Sequence, residues 1–165
     1  MTALNPQMGY DNALYVNTGT YAVPVWTEID LARDLQHGLD VAGVDVSCRR
    51  TARNGREAEA AGLGKWMAEF DSIVPDANET NTGYDDLLTA NRNRTTVDIL
   101  VVEGGTKDTD GADATRAICN VLGGRKSEPL KDAATRNFRC SLALNGDQAI
   151  ELYGTMSSGE FVPGS

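Results

Sequence analysis

The chain has little of what enzymes and metal proteins commonly use at their sites. Its 165 residues include one histidine, His37, and three cysteines, Cys48, Cys119 and Cys140, with no CxxC pair. A lone histidine excludes a multi-histidine metal site, and an odd number of widely spaced cysteines argues against a disulfide framework or a zinc site. We therefore predict that the cysteines are small buried strand residues and that His37 packs at the surface or in the core.

Long apolar runs and an excess of basic residues are also missing. No stretch of about 18 apolar residues occurs, so no transmembrane helix is predicted. The first residues, MTALNPQMGYDN, lack the basic start and apolar stretch of a secretory signal, so we expect the chain to stay in a cytoplasm. With 15 Lys and Arg against 24 Asp and Glu, the net charge of −9 has the wrong sign for wrapping a nucleic-acid backbone.

Three short motifs approach known functional patterns and fail them. The segment KDTDGADATRAIC begins like a calcium loop, but Asp113 stands where the glycine belongs and Cys119 where the closing acid belongs. The segment GLGKW lacks the spacing of a phosphate-binding loop. Asp85 and Asp86 could be taken for a pair of carboxylates that act in acid–base catalysis, but adjacent side chains on a helix point about 100° apart. Acidic residues at the start of a helix also have an ordinary structural use, because the helix dipole favours negative charge there. We predict no enzyme activity, cofactor or metal.

Alternating apolar and polar residues, typical of half-buried strands, are what the chain does contain. In residues 20–48 the apolar set is Tyr21, Val23, Val25, Trp26, Leu35, Leu39, Val41, Val44, Val46 and Cys48. The alternation resumes in GKWMAEFDSIV with Trp66, Ala68 and Phe70. We predict that these two segments pair as a hairpin with a very long loop.

One helix and three further strands complete the pattern. The segment TNTGYDDLLTANRN predicts a helix capped by Thr80 or Thr82, with Tyr84, Leu87 and Leu88 on one face. Strands are predicted in TTVDILVVEGG, which is apolar on both faces and therefore central or covered, in RAICNVLGG, which ends at a Gly-Gly turn, and in ATRNFRCSLALNG. Residues 104–114 form a Gly/Asp-rich loop.

This inventory predicts one mainly-β domain over residues 1–165. The fold class is a β-sandwich or barrel of about eight antiparallel strands with a single flanking α-helix. Residues 1–12 are expected to form an N-terminal arm, residues 49–64 the long inter-strand loop, and residues 154–165 a C-terminal arm.

The long loop concentrates positive charge in an acidic chain. Arg49, Arg50, Arg53 and Arg56 fall within eight positions, followed by Glu57 and Glu59. Loops longer than about 12 to 15 residues are uncommon unless they are functional or disordered. The segment is therefore either an idle solvated excursion or an interface.

The order of the elements resembles the tail tube proteins, the major tail proteins of long-tailed bacteriophages, and above all the group shared with gene transfer agents. The similarity lies in VPVWTEIDLARDLQHGLDVAGVDVSCRRT, in WMAEFDSIVPDANETNTGYDDLLTANRNRTTVDILVVEG and in ATRNFRCSLALNG. The matching positions are Arg33, Asp34 and Leu35, the strand up to Arg50, Glu69 and Phe70, and Leu87, Leu88, Ala90, Arg94 and Thr95.

This resemblance implies a structural virion protein that closes into hexameric rings and stacks into a hollow tail tube for DNA. The implied partners are further copies, the tape measure, tail terminator and distal tail proteins, and passing double-stranded DNA, with no membrane. An acidic lumen would let DNA slide. Arg49, Arg50, Arg53 and Arg56, with Glu57 and Glu59, would then reach a neighbouring subunit. The alternatives are the inner tube of a contractile injection or type VI secretion system, and a monomeric ligand-binding β-barrel.

Overall fold

The computed structural model describes residues 12–45, 59–145, 148–149 and 151–164. Their strands are β1 Ala13–Asn17, β2 Trp26–Glu28, β3 Ala32–Asp45, β4 Glu59–Ile73, β5 Thr96–Val102, β6 Asp113–Ser127, β7 Thr135–Leu142, β8 Leu144–Asn145, β9 Gln148–Ala149, β10 Glu151–Ser157 and β11 Glu160–Pro163. Within these ranges there is one α-helix, α1, at Thr82–Asn93. It is too short to cross a membrane.

Nine of the strands form one antiparallel sheet in the order β2-β1-β5-β6-β7-β4-β3. Strand β10 pairs with Asp113–Ala117 of β6, on the same side of β6 on which β7 pairs with the later residues of that strand. Strand β11 pairs with β10. The predicted mainly-β fold with one helix is confirmed for the described residues. Among the described strands the sheet does not close, because its two end strands, β2 and β3, do not pair with each other, so of the two predicted architectures the barrel is wrong and the sandwich-like one is right.

Apolar side chains are buried on both faces of the sheet. The larger core packs α1 against one face and includes Trp66, Phe70, Leu87 and Phe138. The smaller core lies on the other face, where Met156 of β10 packs against Tyr15, Leu100 and Val102. Successive residues of β5 therefore enter different cores, as expected for a central strand that is apolar on both faces.

The N-cap of α1 lies one residue away from each of the two predicted caps, Thr80 and Thr82. Its N-cap is Asn81, whose side-chain oxygen accepts a 3.0 Å hydrogen bond from the backbone N–H of Tyr84. Asparagine is among the strongest N-cap residues, and its amide also reaches Asp30, with Nδ2 2.8 Å from Oδ1. Tyr84 and Leu87 are buried and Leu88 packs against them, so the predicted apolar face is confirmed.

Two predictions near the start of the sheet are wrong. Tyr21, Val23 and Val25 are not in a strand but in the loop of residues 18–25, where Val23 is 70% exposed. The side-chain oxygen of Asn17 accepts hydrogen bonds from the backbone of this loop, which therefore needs no strand partner. Residues 59–64, which we predicted as part of the long loop, belong to β4, which starts at Glu59.

Two glycine-containing segments near the C-terminal half also differ from expectation. Gly123 and Gly124 do not end β6. They have positive φ values of 81° and 85° and form a bulge inside it. Within the predicted C-terminal arm at 154–165, residues 154–163 belong instead to the hairpin of β10 and β11, in which Ser158 and Gly159 take positive φ values in the turn and Met156 is buried in the smaller core.

Candidate assembly surfaces

The hairpin of β3 and β4 extends beyond the rest of the sheet. The two strands pair from Ala32 with Ser72 to Asp45 with Glu59, whereas β7 pairs with β4 only from Met67 onward. Residues 59–66 of β4 therefore have β3 as their only strand partner among the described residues. At about 3.3 Å per residue, this two-stranded ribbon reaches roughly 25 Å past the sheet. The predicted hairpin is thus confirmed.

The predicted interface residues belong to the segment that joins the two strands of this ribbon. Arg49, Arg50, Arg53, Arg56 and Glu57 lie outside the described residues. Glu59 starts β4, and its side chain is likewise outside the described part. The structure establishes that their two flanking strands pair up to Asp45 and Glu59, and their role as an interface stays a prediction.

Carboxylates gather at the opposite end of β3. We call this surface the acidic end; all its members are exposed, and they are Glu28, Asp30, Asp34, Asp76 and Glu79. Glu28, Asp30 and Asp34 line a cleft of about 510 Å³ that contains one basic side chain, that of Arg33. Residues 74–81 hold no Lys or Arg. The hydrogen bond from Asn81 to Asp30 joins the two parts of this surface. The acidic end has the charge that would complement an arginine-rich segment.

An ion pair buried between β5 and β6 holds the loop of residues 18–25. Arg116 Nη2 lies 2.6 Å from Asp98 Oδ2, and Asn17 Nδ2 donates to the same oxygen at 2.9 Å. Arg116 Nη2 also donates to the carbonyl oxygen of Tyr21 at 2.8 Å, and the guanidinium carbon lies 4.0 Å from the centre of the Tyr21 ring. One buried arginine thus binds a strand and a loop at once.

Our sequence interpretation missed this cluster, although the sequence contains a signal for it. Asp98 and Arg116 are oppositely charged residues inside the apolar strands TVDILVV and DATRAIC. Charged residues are almost never fully buried unless they are paired. Only the register, in which Asp98 pairs with Ile118 and Leu100 with Arg116, brings the two charges diagonally together.

The two cysteines that the structure describes are in environments that make their thiols unreactive. Cys119 and Cys140 are free and buried, as predicted, whereas Cys48 lies outside the described residues. Burial raises the pKa of the Cys119 thiol far above its ordinary range and that of Cys140 to about 12. A thiol that stays protonated is a poor nucleophile. The predicted structural role of both residues agrees with this chemistry.

The other titratable residues that we considered from the sequence are His37 and Asp86, and the structure places both on regular elements, β3 and α1. His37 is a packing residue on β3, with a side chain 13% exposed and Nδ1 3.8 Å from Glu103 Oε1. Desolvation, and then the charge of Asp85, raise the pKa of Asp86 on α1. In the described part of the chain, no three His, Cys, Asp or Glu side chains converge as ligands for a metal ion.

Comparisons with known proteins give structural neighbours only. No family model and no curated protein matches the chain. It is similar to the tail of an empty gene transfer agent particle refined with C6 symmetry, with a TM-score of 0.66, 11% identity, and coverage of 92% of this chain and 100% of that one. It is also similar to a chain of the native gene transfer agent virion, with a TM-score of 0.63, 10% identity, and coverage of 92% of this chain and 100% of that one. For the SPP1 tail tube the TM-score is 0.60 and the sequence identity is 18%, with 95% of this chain and 81% of that chain covered. The chain has the fold of these tail proteins.

Proposed function

We propose that this protein is a structural, non-enzymatic subunit of a virion tail tube, of the type found in phages and gene transfer agents. Copies close into rings of six, and the rings stack into a hollow tube that conducts double-stranded DNA. The observation that carries this proposal is the similarity in fold to the gene transfer agent tail, which spans 92% of this chain and the whole of that one. The C6 symmetry of that tail supports the ring number.

The stacking contact in this proposal joins one end of a subunit to the opposite end of the next copy. The ribbon of β3 and β4 carries Arg49, Arg50, Arg53 and Arg56 in its connecting segment, and Glu57 and Glu59 follow them. The acidic end lies at the other terminus of β3, at most about 45 Å away along 14 residues. A tube needs such unlike surfaces at its two axial ends, because head-to-tail contacts join different patches of successive copies. Opposite charges on the two patches fix the register between rings.

The net charge is compatible with a conduit. A protein that carries −9 per copy attracts few phosphates, whereas every Lys or Arg paired with a phosphate would hold the passing DNA. Other tail proteins, namely the tape measure, terminator and distal tail proteins, would contact the two ends of the finished tube.

Electron microscopy of the purified protein tests the proposal. Negative-stain images at rising protein concentration should contain sixfold rings and then tubes. A single monomer peak in sedimentation at millimolar concentration, with no rings on the grid, would contradict it. A contractile sheath around the tube in the native particle would assign the subunit to a contractile injection system instead.

A further inference from the structure

The loop between β5 and β6 presents a compact negative charge. We call residues 103–113 the β5–β6 loop; they contain four acidic residues and one lysine, a net charge of −3. The lysine, Lys107, comes only as close as 4.0 Å to a carboxylate oxygen of Asp108. All four acidic residues are exposed, and they are Glu103, Asp108, Asp110 and Asp113.

Hydrogen bonds anchor the β5–β6 loop to the elements around it. Its turn is closed by the bond from Thr109 N to Thr106 O at 2.9 Å, and Lys107 N donates to Tyr15 Oη at 3.1 Å. Asp110 Oδ1 accepts from the backbone N–H of Ser158 at 2.6 Å, which ties the loop to the turn between β10 and β11. A surface that is ordered before binding loses less conformational entropy in a contact than a mobile one.

Positive charge collects at the other end of β6. Residues 122–139, which we call the β6–β7 hairpin, contain five Lys and Arg against two Asp and Glu, a net charge of +3. Lys126 pairs with Glu128, and Arg136 donates to Tyr84 Oη. The side chains of three exposed cations form no ion pair or hydrogen bond with any residue that the structure describes, and they are Arg125, Lys131 and Arg139.

Two of these cations line one cleft. Arg125 and Arg139 surround a space of about 520 Å³ together with Asn137, Gly123 and Glu69. Glu69 is directly opposite Arg139 in the register of β4 and β7, but its carboxylate accepts from Asn137 Nδ2 at 3.4 Å. The cleft therefore offers two guanidinium groups to carboxylates from outside the chain, for which their planar fork of donors is well suited.

We propose that the β5–β6 loop of one copy binds the β6–β7 hairpin of a neighbouring copy in the assembled tail. The inference rests on the proposed function. Asp113 and Arg125 are 12 residues apart on β6, a distance of up to about 40 Å, and no ion pair joins the two surfaces within the described part of one copy.

The charges on these two surfaces determine which copies can meet there. Two whole copies, each with a net charge of −9, repel one another, whereas surfaces of −3 and +3 attract. Contacts between unlike patches of successive copies are the ones that generate rings and tubes. Complementary charge at such a contact fixes its register and excludes like-charged pairings.

Charge reversal on each surface tests the contact. The loop variant carries Asp108→Lys and Asp113→Lys, and the hairpin variant carries Arg125→Glu and Lys131→Glu. Arg139 is left unchanged, because an acidic side chain there would face another acidic residue on β4. Each variant alone places like charges at the contact, so in sedimentation velocity it should need more than about tenfold higher concentration to assemble than the unmodified protein.

An equimolar mixture of the two variants isolates the contact. The reversed loop of one variant matches the reversed hairpin of the other, and their two unreversed surfaces also match, so alternating copies should assemble where neither variant does alone. Each exchange changes the charge by two, so the variants carry −5 and −13, and their net charges still repel. Native mass spectrometry should find the two variants in equal numbers in the assemblies.

A control and a milder pair of exchanges complete the test. The control carries Lys65→Glu and Arg92→Glu, at exposed residues outside both surfaces, and it has the same net charge as the hairpin variant. It should assemble as the unmodified protein does. All variants should keep the circular dichroism and melting temperature of the folded protein. Asp108→Asn with Asp113→Asn, which removes charge without reversing it, should weaken assembly by a smaller factor.

The outcomes separate this inference from the proposed function. Assembly of either reversed variant alone at the ordinary concentration would overturn the inference, as would a mixture that stays monomeric or a folded control that fails to assemble. Each of these results leaves the tail tube proposal standing. An unmodified protein that stays monomeric would overturn both.

Discussion

Asp98 and Arg116 form an ion pair in which both side chains are about nine-tenths buried, at 10% and 9% exposure, with Nη2 and Oδ2 2.6 Å apart. The two residues come from neighbouring strands, and Arg116 also donates to the Tyr21 carbonyl oxygen. The interior of the sheet is thus linked to the conformation of the loop of residues 18–25. A change at this pair should therefore appear in the stability of the protein.

Replacing one member of the pair should destabilise the protein strongly. In Arg116→Met, Asp98 keeps its charge in a buried site, and we expect a loss of about 3 to 5 kcal/mol in the free energy of unfolding. Replacing both, with Asp98→Leu and Arg116→Met, should recover most of that loss because no charge is left unpaired. Urea unfolding measures both values. Losses that simply add would show that the two side chains are not coupled.

The helix cap offers a test of a local correction. Asn81→Ala removes the acceptor for the backbone N–H of Tyr84 and the donor to Asp30, so we expect a loss of about 1 to 2 kcal/mol. Thr80→Ala is the matched control, because Thr80 is exposed and is not the cap. Thermal unfolding compares the two variants. An equal or larger loss in the control would contradict the assignment of the cap.

Charge reversal in the arginine segment should stop ring stacking. A variant with Arg49→Glu and Arg50→Glu should fold and form rings but not tubes, since its segment would repel the acidic end of the next ring. Arg92→Glu, an exposed arginine on α1, is the matched control and should still give tubes.

A compensating variant sharpens this test. Adding Asp76→Arg and Glu79→Arg to the same chain exchanges the charges on both surfaces and should restore tube growth in part. Tube lengths in negative-stain images measure the effect. Normal tubes from the double arginine variant would contradict the stacking contact.

The buried thiols predict a pH dependence of stability. Burial raises the pKa of Cys119, and that of Cys140 to about 12, whereas the unfolded chain titrates these thiols near the ordinary value of 9.0. Above pH 9 the unfolded state releases protons that the folded state keeps, so the free energy of unfolding should fall. Each thiol contributes at most about 1.4 kcal/mol per pH unit. Below pH 9 neither thiol should contribute a slope.

Thiol labelling and one variant check this prediction. In a Cys48→Ser background, the folded protein should not react with a thiol reagent at pH 8, whereas both thiols should react in denaturant. Cys140→Ala should show a shallower fall in stability above pH 9. An unchanged slope in that variant would contradict the assignment.

The parts of the fold with a strong local pattern could be predicted from the sequence. The strand β5 is apolar on both faces, and α1 has a clear apolar face with an acid in its first turn, so each pattern has one simple interpretation. In β7, Phe138 and Cys140 alternate with exposed or polar residues and are buried as expected. For these elements, pattern and tertiary burial agree.

The wrong predictions come from sequence patterns that are compatible with two different local structures. Tyr21, Val23 and Val25 alternate as in a half-buried strand, but alternation does not distinguish burial within the chain from exposure in a loop that a side-chain amide organises. Two adjacent glycines permit a turn or a bulge, and only the pairing of β6 with β7 decides between them. The candidate surfaces depend on which ends of the sheet the elements occupy, and local sequence does not encode that order.

The register shifts in the ribbon of β3 and β4 affect how readily its outer strand can pair with a strand of another molecule. The pairing of β3 with β4 shifts register twice, between Arg33 and Gln36 and between Val41 and Gly43. A straight bare strand offers its backbone to any other strand, which is how β-rich proteins form fibres. A bulged strand with Asp40 on its far side offers no long, flat ladder of backbone groups. The two bulges thereby lower the tendency of β3 to pair edge to edge with a strand of another molecule.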